Sequence, residues 1–172
     1  MKIYGIVAEY NPFHNGHKFQ IDDIRKKAGD CAIVSVMSGN YVQRAETAVM
    51  SKYARAKAAL LGGVDLVLEL PMPYAISSAE RFAYSSVHIL NSLGAVTDIS
   101  FGSECGSISI LRKAVEALYD ENVNLKLKAE LKNGVSYPAA RFAAVRDVFG
   151  AETAAALSEP NNILAVEYIK AL

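Results

Sequence analysis

Hydrophobic and polar residues alternate along this chain in short blocks that predict strands separated by helices. Short apolar runs, followed mostly by glycine, proline or serine, predict strands at Lys2–Ala8, Cys31–Met37, Asp65–Leu70 and Asp98–Phe101. Helical spacing of apolar residues follows each run, at Gly16–Ala28, Lys52–Leu61, Ala79–Leu93 and Ile108–Tyr119. This alternation predicts an α/β fold with a Rossmann-like, doubly wound parallel sheet that helices cover on both faces.

From Asn122 onward the pattern is mostly helical, with breaks at Asn133-Gly134, Tyr137-Pro138, Gly150 and Glu159-Pro160. We therefore expect one catalytic domain over residues 1–172, in which residues 124–172 form a helical carboxyl-terminal part. The last helical pattern, Asn162 to Leu172, has no capping glycine after it. We take this as a sign that the domain, or the protein, continues further.

Ligands of doubly wound sheets bind beyond the carboxyl ends of the strands. The loops at that edge are Glu9–Gly16, Ser38–Ser51, Pro71–Ser78 and Gly102–Ser107. The sequence therefore predicts a site assembled from these loops.

Two histidines mark the first of these loops as a phosphate site. His14 and His17 lie three residues apart at a predicted helix start, where backbone N–H groups lack intrahelical partners. Imidazole donates a hydrogen bond in either protonation state, and Gly16 lets the backbone approach a phosphate closely. We predict His14 and His17 as catalytic residues that stabilise charge on a nucleoside triphosphate. The alternatives are half of a zinc site or a pair of surface histidines.

Other polar residues at this edge allow two interpretations each. Arg44 can neutralise a phosphate, or its loop is an ordinary solvated turn. Lys52 and Arg55 share a helix face that can stabilise a leaving pyrophosphate, or that face is simply solvated. Asp65 is expected before its strand and Glu69 at the carboxyl end.

Composition narrows the class of protein. The 172 residues are 52% hydrophobic, which suffices for a well-buried domain. Lys+Arg and Asp+Glu both number 18, so the chain alone lacks the basic excess of a strong nucleic-acid binder. Two cysteines, no signal-peptide pattern and no long apolar run predict a cytoplasmic protein with free thiols.

Several motifs together resemble a known family. The segment Phe13–His17 resembles the HxGH signature of the nucleotidyltransferase superfamily. Five blocks in order resemble the bacterial tRNA(Met) cytidine acetate ligase family, namely Val7–His17, Met37–Arg44, Gly63–Pro71, Phe101–Glu104 and Pro160–Leu164. The chain is similar to the amino-terminal catalytic domain of such a ligase.

This resemblance implies a two-step reaction. Acetate attacks the α-phosphorus of ATP to give acetyl-adenylate, and the wobble cytidine of elongator tRNA(Met) then takes the acetyl group to become N4-acetylcytidine. It also implies Mg²⁺ as a cofactor with ATP. The ATP-binding residues that it implies are Val7, Ala8, Glu9, Tyr10, Asn11, Pro12, Phe13, His14, Asn15, Gly16, His17, Lys18, Phe19, Gln20, Gly102 and one of Asn161 and Asn162. The residues that hold acetate, tRNA and the metal stay unassigned.

The chain departs from the family pattern in two respects. Ala45 and Thr47 stand where family members commonly have glycine and proline, and family members are considerably longer. A second nucleotide-binding signature and a tRNA-binding helical region are expected in the remaining part of such a ligase. Two other functions therefore stay open: a nucleotidyltransferase that acts on a small phosphorylated metabolite, and an ATP-binding module without catalysis.

Overall fold

A four-stranded parallel sheet forms the centre of the first part of the chain, in a computed structural model that describes residues 1–43 and 45–172. The strands are β1 (Lys2–Ala8), β2 (Cys31–Ser38), β3 (Leu66–Leu70) and β4 (Asp98–Ser100). Their order across the sheet is β3-β2-β1-β4, and every neighbouring pair is parallel. The helices of this part are α1 (Asn15–Ala28), α2 (Lys52–Leu61), α3 (Met72–Ala75) and α4 (Ala79–Ser92).

The register of β1 and β2 brings two loops to one edge of the sheet. Lys2 pairs with Cys31 and Ala8 with Met37, so both strands end at the same level. The first loop, residues 9–14, follows β1, and the second loop, residues 39–51, follows β2. Buried side chains such as Ile6 and Ile33 hold these strands in the core, and each such burial contributes roughly 1.5–3 kcal/mol.

A polar network fixes the opposite edge of the sheet. The Arg25 guanidinium on α1 donates to the Cys31 carbonyl at 3.1 Å, the Gly63 carbonyl at 2.7 Å and Asp65 Oδ2 at 2.9 Å. The same Asp65 oxygen accepts the Ile33 backbone N–H at 2.7 Å. Asp65 therefore precedes β3, as predicted, and ties the start of that strand to β2 and α1.

Residues 102–170 and 172 form a second, helical unit. Its helices are α5 (Ile108–Tyr119), α6 (Glu121–Lys132), α7 (Tyr137–Phe149), α8 (Ala151–Ala156) and α9 (Pro160–Ala171). Alanines such as Ala114, Ala144 and Ala154 are fully or almost fully buried in it. Their small side chains allow neighbouring helices to pack closely.

The predicted α/β fold class, with a doubly wound parallel sheet and a helical carboxyl-terminal part, is confirmed. Two details differ from prediction. Met72–Ala75, expected to be loop, forms the short helix α3, which has too few residues to show helical spacing. Helix α9 begins at Pro160 rather than Asn162, because proline fits a first helical position that needs no N–H donor.

Among the described residues, no helix combines the length and apolarity needed to cross a bilayer. The expectation that residues 1–172 act as one catalytic domain stays a prediction.

Candidate functional site

The two predicted histidines form the amino-terminal cap of α1. His14 is the N-cap residue, and its Nδ1 accepts the Gly16 backbone N–H at 3.0 Å. His17 Nδ1 reaches back and accepts the His14 backbone N–H at 3.2 Å. A neutral imidazole whose Nδ1 accepts a hydrogen bond carries its proton on Nε2. The capping arrangement therefore leaves each ring with an Nε2–H donor that the cap does not use.

The two rings stack on each other at the start of α1. Their centroids are 3.8 Å apart with an interplanar angle of 27°. His14 is exposed and His17 is half-buried. Burial, and secondarily the neighbouring His14, lower the pKa of His17 to about 4. His17 is therefore a neutral imidazole near pH 7, which donates a hydrogen bond and carries no charge.

Aromatic side chains from the first loop support His17. The Tyr10 ring meets the His17 ring edge-on, with centroids 4.8 Å apart and an angle of 89°, and the Phe13 and His17 centroids are 5.5 Å apart. Tyr10 is only 1% exposed and has a φ of +47°, a strained value for a residue with a side chain. Such strain persists only where the surrounding structure enforces it, and here it directs a buried ring beneath His17.

The second loop folds back on itself and rests on the first. Within it, Val42 N donates to the Glu46 carbonyl at 3.0 Å, and Ala48 N donates to the Asn40 carbonyl at 2.9 Å. Ala45 has a φ of +58°, which glycine adopts without strain. This conformation gives a physical reason for the glycine common in the family at this place. Arg44, which the sequence offered as a phosphate ligand, lies outside the described residues.

Arg55 does not have the role that its helix position indicated. It is 1% exposed, and its guanidinium donates to the backbone carbonyls of Glu9, Gly39 and Met50. Of the two interpretations left open for Arg55, the solvated helix face is wrong because the side chain is buried, and these carbonyls take the donors that a contact to pyrophosphate would need. Sequence reasoning missed this role, since an arginine in a helical pattern gives the same sequence signal whether its side chain is buried or solvated.

Lys52 lies in an ion pair at the carboxyl end of β3. Its Nζ is 2.6 Å from Glu69 Oε2, and the Lys52 side chain is 27% exposed. The hydrogen bond that Lys52 donates to the Glu69 carboxylate is the main cause that raises the pKa of Lys52. Lys52 is therefore a cation at the edge of the sheet that the sequence predicted for ligands.

The remaining predicted ATP-binding residues fall into two groups. Val7 and Ala8 end β1, Glu9 to His14 form the first loop, and Asn15 to Gln20 begin α1. In the same group, Gln20 Nε2 lies 3.1 Å from Ser100 Oγ at the end of β4. Phe19 is 73% exposed, so its ring packs little against its own unit. Gly102, Asn161 and Asn162 belong to the helical unit.

Within the helical unit, Glu104 caps α9. Its carboxylate accepts the backbone N–H groups of Asn161 at 3.0 Å and Asn162 at 2.8 Å. Desolvation opposes ionisation, but these backbone hydrogen bonds outweigh it and lower the pKa of Glu104. Asn162 is 1% exposed and its Oδ1 accepts the Cys105 N–H at 3.2 Å, whereas Asn161 is exposed. The two asparagines therefore differ: Asn162 orders the loop that contains Gly102, and Asn161 faces solvent.

No group of three or more His, Cys, Asp or Glu side chains in the described part of the chain is arranged to hold a metal ion.

Comparisons with known proteins agree with this geometry. A family model described as HIGH Nucleotidyl Transferase matches residues 1–172. The chain is 47% identical to the tRNA(Met) cytidine acetate ligase of Acetivibrio thermocellus, over 100% of the chain and 42% of that relative. It is 51% identical to the protein of that name from Caldicellulosiruptor saccharolyticus, over 99% of the chain and 42% of the relative. The resemblance that the sequence motifs indicated is thereby confirmed.

A solved structure shares the fold. The crystal structure of Thermotoga maritima TmcAL bound with alpha-thio ATP matches with a TM-score of 0.92 and 43% identity, over 99% of this chain and 43% of that one. The apo form of TmcAL matches with the same TM-score. The chain thus spans less than half the length of the relatives that it matches.

Proposed function

The chain belongs to the HIGH nucleotidyltransferase family, and from that premise we propose that it forms the ATP-binding, acetate-activating part of a tRNA(Met) cytidine acetate ligase. The observation that carries the proposal is the pair of Nε2–H donors which the capping arrangement of His14 and His17 holds at the start of α1. The names of the relatives and the nucleotide in the TmcAL structure support the choice of substrates.

In the first step, a carboxylate oxygen of acetate attacks the α-phosphorus of ATP. The bond from that phosphorus to the bridging β-phosphate oxygen breaks, and pyrophosphate leaves with the electron pair. Negative charge grows on the phosphate oxygens at the transition state. Neutral, rigidly held donors at a helix start stabilise that charge without reorganising, which is the role we assign to His14, His17 and the first backbone N–H groups of α1.

In the second step, the exocyclic amine of the wobble cytidine attacks the acetyl carbonyl carbon. The bond from that carbon to the adenylate oxygen breaks, AMP leaves, and the amine loses a proton to give N4-acetylcytidine. Adenylation makes this step feasible, because AMP is a far better leaving group than the oxide or hydroxide ion that unactivated acetate would have to expel. Contacts to elongator tRNA(Met) are proposed to lie mainly outside the present chain, whose formal net charge is zero.

We propose that ATP binds along residues 7–20. Gly102 and one of Asn161 and Asn162, in the helical unit, are further proposed contacts that the family resemblance implies. ATP would enter as its Mg²⁺ complex. Mg²⁺ in nucleotide sites is held largely by phosphate oxygens and water, with one or two carboxylates. The residues that would hold Mg²⁺ stay unassigned. A cytoplasmic location stays a prediction.

The deciding experiment is ATP–pyrophosphate exchange on the 172-residue chain with MgATP, with and without acetate. We expect exchange that requires acetate. Exchange that needs a phosphorylated metabolite instead would support the other nucleotidyltransferase function. ATP binding without any pyrophosphate exchange would support a non-catalytic module, provided that a chimera of this domain with the remaining part of a relative also shows no exchange.

A further inference from the structure

The first and second loops, which form the ligand edge of the sheet, are joined by hydrogen bonds from residues distant in sequence. Glu9 Oε1 accepts the Gln43 backbone N–H at 2.8 Å, and Asn11 Oδ1 accepts the Val49 backbone N–H at 2.8 Å. Both acceptor side chains come from the first loop and both N–H donors from the second. Glu9 and Asn11 are therefore occupied by protein backbone in this structure, although they lie within the segment proposed to bind ATP.

Arg55 completes the connection from beneath. Its guanidinium donates to the Glu9 carbonyl in the first loop, and to the Gly39 and Met50 carbonyls near the two ends of the second loop. An arginine that is 1% exposed gives up its hydration, and this is tolerated only where its donors are satisfied. Here the acceptors are carbonyls of the two loops themselves, so burial of Arg55 requires both loops to be in place.

We propose that Glu9, Asn11 and Arg55 are positioning residues that hold the second loop against the first and thereby set the affinity of the site for ATP. The inference rests on the proposed function only for the identity of the ligand. Towards Gln43, Glu9 acts through its oxygen as a hydrogen-bond acceptor, a role that requires no charge. The first loop continues directly into His14, so displacement of the loop also displaces the N-cap of α1.

The acceptor role is tested by a matched pair of substitutions at Glu9. Glu9→Gln keeps an oxygen that can accept the Gln43 N–H but removes the charge, and Glu9→Met removes both at similar size. In the 172-residue chain, we expect Gln43 amide hydrogen exchange to become about tenfold faster in Glu9→Met and to stay near wild type in Glu9→Gln. ATP binding, measured by titration calorimetry, should weaken about tenfold in Glu9→Met and should not weaken in Glu9→Gln.

Two further variants extend the test: one controls for the loss of a negative charge, and the other removes the Arg55 guanidinium. Glu46→Gln removes a charge from an exposed residue of the second loop, and both readouts should stay at wild-type values. Arg55→Met should speed exchange at Gln43 and Val49 together. If Arg55→Met does not fold, the two Glu9 variants alone test the proposal. Glu9 is only half-buried, so its substitution endangers folding less than that of Arg55.

Two results would overturn the proposal. Equal loss of ATP binding in Glu9→Gln and Glu9→Met would mean that the charge of Glu9 acts on the ligand or its metal. Loss of Gln43 protection in Glu9→Met with unchanged ATP binding would mean that the second loop does not set the affinity. If the wild-type chain binds no ATP while amide hydrogen exchange at Gln43 changes as expected, the proposed function fails and the connection between the loops stands.

Discussion

At the scale of single residues, the site depends on which nitrogen of each histidine carries the proton. His14 and His17 each use Nδ1 to accept a backbone N–H at the start of α1. One nitrogen of each ring therefore stabilises the helix and the other is available to a phosphate. Folding and chemistry are assigned to different atoms of the same side chain, and this allows them to be separated by substitution.

His17→Asn and His17→Gln should have different effects. Asparagine places an oxygen near the position of Nδ1, so the cap is retained while the donor is lost. Glutamine at this third helical position keeps an oxygen that can accept the His14 N–H, as in a capping box, and it also has an amide N–H donor. We expect His17→Asn to keep wild-type stability and lose roughly 10²-fold or more in pyrophosphate exchange. His17→Gln should also keep stability near wild type and should retain more activity than His17→Asn.

Urea unfolding and exchange assays on both variants test this expectation. His17→Ala should lose both unfolding free energy and pyrophosphate exchange, because the ring is a cap as well as a donor. If His17→Asn proves as active as wild type, His17 is a structural residue and the phosphate role belongs elsewhere.

The pH dependence of stability follows from the same ring. The pKa of His17 is about 4 in the folded chain and ordinarily 6.5, so between these values the unfolded chain binds more protons. The contribution of His17 is therefore fully present above pH 6.5 and is lost progressively as the pH falls towards 4. We expect the unfolding free energy of wild type to fall more steeply over this range than that of His17→Asn. Parallel curves from urea titrations at a series of pH values would contradict this.

At the scale of elements, the end of α2 is fitted to the first loop. A Cβ added at Gly62, the C-cap of α2, would lie 2.4 Å from Phe13 Cζ and 2.8 Å from Phe13 Cε1. Phe13 in turn packs on Tyr10, with ring centroids 5.2 Å apart, and on His17. Glycine at residue 62 therefore lets a helix end approach the loop whose aromatic rings support His17.

Gly62→Ala should destabilise the chain by roughly 1–3 kcal/mol, because the Phe13 ring must move out of its packed position. Phe13→Leu should relieve the clash, so that the double variant is more stable than the sum of the single effects predicts. Urea unfolding of the four proteins in this cycle measures the coupling. Gly102→Ala is the matched control: the described residues leave open space around a Cβ there, and its effect should stay within about 0.5 kcal/mol. Additive effects of Gly62→Ala and Phe13→Leu would show that the contact is not the cause.

At the scale of the whole molecule, ATP should stabilise the folded chain through its phosphates. A ligand that binds only the folded state at about 100 times its Kd adds roughly 2.7 kcal/mol. For a chain of this size, that corresponds to a rise of several degrees in Tm. We expect ATP to raise the Tm and adenosine at the same concentration to raise it much less, since the proposed contacts at α1 are to phosphate. Equal shifts from both ligands, measured by differential scanning fluorimetry, would place the phosphates away from His14 and His17.

The sequence by itself determined most of the elements and the edge of the sheet at which the loops after β1 and β2 lie. Apolar runs and helical spacing predicted the four strands and the helices α1, α2, α4 and α5 to within a residue or two at each end. These patterns are local, because burial of one face of a strand or helix imposes its period on consecutive residues. The motif around His14 and His17 was also predictable, because a helix start and its caps lie within a few residues of each other.

Only the tertiary structure decided how the side chains at that edge are used. The sequence left Arg55 as either a pyrophosphate contact or a solvated helix residue, yet it is buried and donates to the carbonyls of two loops. Glu9 and Asn11 were predicted within a ligand-binding segment, and their oxygens accept N–H groups from residues 34 and 38 positions further along the chain. Such contacts depend on the parallel register of β1 and β2, which brings two distant loops to one edge of the sheet. The periodic pattern of apolar residues shows which face of its own strand or helix is buried. It contains no information about hydrogen-bond partners that are distant in sequence and that only the fold brings near.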